Sequence, residues 1–371
     1  MHDELTRRKT LYRDLFAGKP LDHIPLDIRV TVPSEHTVRE QFQNADCQLQ
    51  ANMTNARETW RLENCTDAIP AMRPDVGCSC LATAFGAEYY WGNNTAQTPG
   101  IRVPIIKDLE ATVDTLQIPD PRTSGWIPEG LRRIGMFAEA GDGFVPISLL
   151  DAAGGLNVVA DLLGVEETLV SLYTSPPAIH RLLDIIQSFF GECVRTGIAA
   201  AGGEDNITTT DFPDVWFPEG YKGHVSDDIC ANFGPGIYRE FSAPYHARIF
   251  GEFGCGGLHN CGPNPCHAEY VSHELSPRAI DLSDPFSHAD LPDFKESLKG
   301  RGFIYLTFDR LKNPTIEPVS WYREIMELMA PHVVVVPVLF AKSVQEGKEL
   351  FNKLKPISRM YAQRMEWGWT R

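Results

Sequence analysis

From about residue 130 onward, apolar runs of strand length alternate with runs of helical period, and this alternation limits the fold more than any other feature. The strands are read at "FVPISLLD" (144–151), "NITTTD" (206–211), "CGGLHNC" (255–261), "AIDLSD" (279–284), "FIYLTFD" (303–309) and "HVVVVPVLF" (332–340). Helical patterns separate them. The longest stretch, 156–203, reads as two helices divided by "TSPP", with Ile179, Leu182, Leu183, Ile186 and Phe190 on one stripe. Upstream, residues 4–17 read as an amphipathic helix and "HIPLDIRV" (23–30) as a first strand. Residues 35–62 are polar and helix-compatible, and 86–92 with 101–106 form a hairpin pattern.

Strands alternating with helices predict parallel βαβ units. Seven strands are visible, and an eighth is expected within residues 64–85. The expectation is α/β: a single (β/α)8 TIM-type barrel spanning residues 1–371, in which residues 1–130 include an N-terminal helical and hairpin extension. An open doubly wound sheet is the alternative. No GxGxxG opens a helix and no Walker-type loop is present, so a dinucleotide or P-loop site lacks support.

Charge and cysteine usage exclude further classes. The formal net charge is −15 with no strongly basic segment, which argues against nucleic-acid binding. The start lacks the apolar core of a signal peptide, and runs such as "HVVVVPVLFA" are too short to span a bilayer. A cytoplasmic location with no membrane contact is expected. Nine cysteines, an odd number in a large chain, predict no disulfide framework.

A barrel places its chemistry at the C-terminal ends of its strands. Those ends carry Arg29, Asp151, Asp211, His259 with Cys261, Asp281 to Asp284, and Asp309. In "LHNCGPNPCH" (258–267), His259 and Cys261 fall two residues apart on one side of an extended segment. Imidazole and thiolate at that spacing suit one zinc ion, and a catalytic zinc keeps a position open. Cys266 is a third ligand if Pro263 and Pro265 turn the chain back; otherwise it is the buried start of the next helix. His267 reads as helix surface, and Asp228 or Glu219 also suits the shell. The adjacent carboxylates Asp227 and Asp228 repel, which raises one pKa and suits one of the pair to proton transfer, unless they form a solvated loop or cap the following helix. Asp211 and Asp309 either act on substrate or cap the following turns. Arg29 and the loop residue Trp216 are substrate-binding candidates, and Cys78/Cys80 read as packing residues.

Several segments resemble the uroporphyrinogen decarboxylase superfamily, and within it the cobalamin-dependent (corrinoid) methyltransferase branch. They are "GKPLDHIPLDI", "ATAFGAEYYWGNNTAQTPGIRVPIIKDLEATVDTLQIPDP", "ADLLGVEETLVSLYTSPPAIHRLLDII", "HVSDDICANFGPGIYREFSAPYHARIF" and "LHNCG", in order along nearly the whole chain. The resemblance implies a zinc-dependent transfer of methyl between a small methylated substrate (methoxy, methylthio or methylamine type) and the cobalt of a corrinoid protein. It also implies a metal held by His259 and Cys261 and a role for Asp228 at the pocket. No cobalamin-binding motif such as DxHxxG is present, so a partner or free cofactor would bring the cobalt. The acceptor or donor would be a small molecule, in one direction a thiol.

Two departures stand out. The segment after the first strand, "RVTVPSEHTVREQF", lacks the arginine loop of the decarboxylases themselves. The region "VVVVPVLFAKSVQEG" lacks the cysteine that zinc methyltransferases of this branch carry after the last strand. The first makes a carboxylated substrate and a decarboxylase or lyase the lesser reading. The second leaves open a non-catalytic binding relative.

Overall fold

The computed structural model describes residues 2–94, 96–272 and 274–370. Its strands are β1 (Asp27–Val30), β2 (Tyr89–Tyr90), β3 (Gly100–Ile101), β4 (Gly223–Ser226), β5 (Cys255–Asn260), β6 (Ala279–Asp284), β7 (Phe303–Phe308) and β8 (Val334–Ala341). Six of them form one parallel sheet in the order β1-β8-β7-β6-β5-β4, while β2 and β3 make a separate antiparallel hairpin. The central strands are near-continuous apolar runs, as in "FIYLTF" and "VVVPVLFA", because helices cover them and both faces are buried. Ile304, Leu306, Val334, Val335 and Val336 are fully buried, and one contiguous apolar core runs from Leu5 to Met365.

Beyond the two edge strands the pairing continues irregularly. Asp67 N donates to Leu26 O (3.0 Å) and Thr66 Oγ1 to Ile28 O (2.7 Å), attaching residues 66–67 to the β1 edge. Single parallel bridges then join Met72 to Ile147 and Ile147 to Ile207. Thr210 N donates to Lys222 O (2.9 Å), which reaches the β4 edge.

Two expected strands, 144–151 and 206–211, therefore exist only as bridge positions, at Ile147 and Ile207. The Thr hydroxyls of the second segment explain its irregularity. Thr208 Oγ1 donates to Pro213 O, Thr209 Oγ1 to Asp211 O, and Thr210 Oγ1 to His224 O, so side chains compete with the ladder for backbone carbonyls. The strand that completes the sheet is instead β4, whose four residues "GHVS" are too few to mark a strand by their alternation.

Helices follow the expected periods. The N-terminal helix (His2–Phe16) and the helices Val38–Gln43 and Ala45–Trp60 cover the first third. The long helix Pro176–Ala200 opens on two prolines and buries Ile179, Leu182, Leu183, Ile186 and Phe190 as the stripe predicts. The segment before it is two helices, Gly155–Leu163 and Val165–Thr174, because Gly164 at φ 96 breaks the turn. Among the described residues no helix is long and apolar enough to cross a membrane.

Candidate metal centre

The C-terminal ends of β4 and β5 lie side by side, with Ser226 paired to His259 in the ladder. Asp228 follows β4 and Cys261 follows β5, so these short extensions meet. Cys261 N donates to Asp228 Oδ1 at 2.7 Å. The ligand atoms of Asp228, His259 and Cys261 all lie within 4.8 Å of one another. His259 Nε2 is 2.8 Å from Cys261 Sγ and 4.0 Å from Asp228 Oδ1.

The other ring nitrogen is committed. His259 Nδ1 meets Asp281 Oδ2, on β6, at 2.9 Å. A carboxylate on one imidazole nitrogen sets the tautomer and aims the other nitrogen, here toward Cys261 and Asp228. Burial opposes charge on this ring, but Asp281 and then Cys261 outweigh it, so the His259 pKa stands well above the usual histidine range. Phe212 packs edge-on against the ring at 4.9 Å. One nitrogen, one sulfur and one carboxylate oxygen, with Cys261 and Asp228 exposed, form a donor set that suits zinc with one position free for a ligand.

The group opens into a cleft of about 620 Å³. Arg73, Asp151, Asn157 and Asp161 also line it. Arg73 Nη2 bonds Asp151 Oδ2 at 2.6 Å, and its guanidinium lies 4.9 Å from the Phe212 ring centre. Burial pushes the Asp151 carboxyl up to about 7; Arg73 pulls it back only in part, and Asp211 adds to the rise. The helix Gly155–Leu163 is pressed against β4. A side chain at Gly154 would meet Ser226 O at 2.0 Å, and Ile229 N donates to Asn157 Oδ1 at 2.9 Å.

Of the residues singled out in the sequence, His259, Cys261 and Asp228 come together, and Asp211 lies beneath them. Asp211 is fully buried and accepts from Ser226 Oγ (2.9 Å) and Ala152 N (3.1 Å). Burial would raise its carboxyl, but the His224 ring 3.7 Å away and these donors hold it below the usual aspartate value. It fastens β4 to the residue after Asp151 and does not line the cleft.

The others go elsewhere. Cys266 is fully buried, and its Sγ donates to Phe233 O at 3.6 Å; burial pushes the thiol up to about 12. The prolines before it do not bring it to the metal group, and of its two readings the buried start of the next helix is the observed one. His267 bonds Ser297 Oγ at 2.8 Å, and Glu219 pairs with Arg13 at 2.8 Å. Asp309 accepts from Leu311 N (2.9 Å) and Lys312 N (3.3 Å), so it caps a turn beside a different cleft. Arg29 is locked to Asp27 by two bonds of 2.7 and 3.0 Å. Trp216 is buried under Lys9, Arg13 and Lys222, near the start of β4 rather than its end.

Sequence reasoning passed over Arg73, Asn157 and Asp161 as site residues. Arg73 stands in an irregular segment and the other two on a helix, so neither period nor spacing marks them. Asp151 and Asp281 were visible only as two strand-end carboxylates among several.

No family model and no curated protein matches this chain. Among solved structures, a methyltransferase from Methanosarcina mazei superposes with a TM-score of 0.67 at 16% identity. The match covers 94% of this chain and 98% of that one, so the two share their fold over nearly their whole length.

Proposed function

We propose that the chain is a zinc-dependent methyltransferase that moves a methyl group between a small methylated substrate and the cobalt of a corrinoid. The observation that carries this reading is the Asp228–His259–Cys261 group, backed by Asp281 and open to a cleft. The fold shared with a methyltransferase supports it. The reading includes a closed (β/α)8-type barrel, supported by the hydrogen bonds that carry the sheet from β1 through residues 66–72, 147 and 207–210 to β4. It also includes membership of the corrinoid branch of the uroporphyrinogen decarboxylase superfamily, and a cytoplasmic protein that meets its cobalt on a corrinoid protein or as free cofactor.

In this reading His259 Nε2, Cys261 Sγ and the Asp228 carboxylate hold zinc. Bound zinc supplies Lewis-acid chemistry, favouring the deprotonated form of a coordinated thiol or the departure of a heteroatom from its methyl group. Asp281 orients the His259 ring and raises its basicity as a ligand. Phe212 shields one side of the ring from water. Arg73 and Asp151, paired to each other, also line the cleft.

Purified protein should contain about one zinc per chain, and zinc-loaded protein should consume cob(I)alamin when offered the right donor among methoxylated, methylthio and methylamine compounds. Absence of bound metal together with no cobalt methylation from any donor would overturn the proposal. A decarboxylase needs cations gathered to hold carboxylates. Arg73 is the one Arg or Lys among the described lining residues, and it is committed to Asp151. A non-catalytic relative would lose nothing on His259→Ala, which separates that reading from ours.

A further inference from the structure

A second cavity, of about 480 Å³, lies at the opposite end of the strands from the metal group, where the chain enters β4, β5, β6 and β7. Arg278, the residue before β6, and Arg301, just before β7, both line it, and both are half-buried. Among the described residues no carboxylate lies within ion-pair distance of either, and no Asp or Glu lines the cavity. In a chain of net charge −15 this pair stands apart. Buried arginines elsewhere meet acids: Arg8 meets Glu4, Arg29 meets Asp27 and Arg133 meets Glu129. Cys255 also lines the cavity but does not supply the missing charge, because burial pushes its thiol up to about 11 against a partial offset from Arg278.

The two side chains are held in place. Arg278 Nη1 donates to Arg301 O, and Arg301 Nη1 donates to Val271 O at 2.5 Å. The Arg278 backbone is fixed from both sides, since its N donates to Gly256 O and its O accepts from Phe303 N, both at 3.0 Å. A guanidinium carries further N–H donors beyond these single bonds. Arg278 Nε is buried and has no hydrogen-bond partner among the described residues, a costly arrangement unless water or a ligand completes it. Two like charges on one cavity favour a doubly charged oxyanion, and guanidinium forks match phosphate oxygens in pairs. Tyr221, Val271 and Pro277 make the remaining wall largely apolar, which leaves room for an organic group beside the oxyanion.

We propose that this cavity binds a phosphate group between Arg278 and Arg301, as the free ion or as the monoester of a small organic molecule. The inference is independent of the metal reading. Cys255 opens β5, and His259 lies further along the same strand, roughly 13 Å away.

The test titrates inorganic phosphate, phenyl phosphate and phenol calorimetrically into the wild-type chain, Arg278→Gln and Arg301→Gln. At least one phosphate should bind with a Kd below about 1 mM, and phenol should not bind. Tighter binding of phenyl phosphate assigns the site to an ester; equal or tighter binding of inorganic phosphate assigns it to the free ion. Each substitution should weaken binding at least about tenfold. Both arginines also bond backbone carbonyls, so a second measurement uses the wild-type chain alone. Bound phosphate should protect Arg278 and Arg301 from modification by phenylglyoxal, read by peptide mass analysis. No phosphate binding, undiminished binding in a folded variant, or protection of other arginines in place of these two would overturn the proposal.

Discussion

The two ends of the parallel sheet are built on opposite principles. At the N-terminal ends of the strands, the helix His2–Phe16 closes the molecule. Phe16 packs on Phe217 and Phe303 at ring separations of 4.9 and 5.1 Å. Arg8, fully buried, bonds Glu4 at 2.9 Å and the Glu63 carbonyl at 2.6 Å, and Arg13 bonds Glu219. These charges meet partners. At the ends of β4 to β6 the polar groups instead face a cleft of about 620 Å³, with Asp228 and Cys261 exposed. Separating stability at one end from chemistry at the other lets each vary alone, as a strand-and-helix scaffold with loops at its C-terminal face permits.

That separation can be broken by substitution. The largest effect is expected from His259→Ala, which should lower zinc affinity and methyl transfer by more than about a hundredfold. The metal-free fold should persist but lose about 1–3 kcal/mol, because Asp281 is left buried without its partner, as metal analysis and denaturant titration would report. Arg8→Ala should touch stability alone. Leaving its carbonyl acceptors buried and unpaired should cost about 3 kcal/mol in chemical denaturation, with zinc affinity unaffected. Asp281→Asn sharpens the picture within the metal group. Losing the carboxylate behind His259 should weaken zinc binding about 10- to 100-fold by competition with a chromogenic chelator, while the fold persists.

A pH effect belongs to the closed end. Burial, and then the nearby Lys9 charge, lower Lys222 from 10.5 to about 7, and its Nζ donates to the Ile207 carbonyl at 2.7 Å. Between these two values the unfolded chain binds more protons than the folded one, so this residue makes stability rise with pH. The penalty is fully present below pH 7. Lys222→Met should flatten that rise in urea unfolding measured at neutral and at alkaline pH. The smallest effect is expected from Asp309→Ala. Removing a turn cap should cost about 1 kcal/mol or less and leave zinc binding as it was, in contrast to a substitution at Asp228.

Much of the architecture was legible because burial imposes patterns. The runs "FIYLTF" and "VVVPVLFA" are apolar throughout since both faces are covered, and the stripe of Pro176–Ala200 repeats with the helical period because one face is. The pair His259 and Cys261 was legible for a similar local reason: two residues along a strand return to the same side. The irregular quarter of the sheet was not. Residues 206–211 carry the composition of a strand, but their Thr hydroxyls bond the backbone, and "GHVS" is too short for its period to stand out.

What the sequence determined by itself is the alternation of strands and helices and the two-residue step that sets imidazole and thiol together. Both follow from periods of the local backbone. Only the tertiary structure decided that Asp228 rather than Cys266 completes the group, because that depends on β4 lying beside β5 and on Cys266 turning into the core toward Phe233. It likewise decided that Arg29 and Trp216 serve the scaffold, and that Asp161, unmarked by any spacing, faces the cleft. Distances between residues far apart in the chain are set by how the layers pack, and local periodicity carries no record of them.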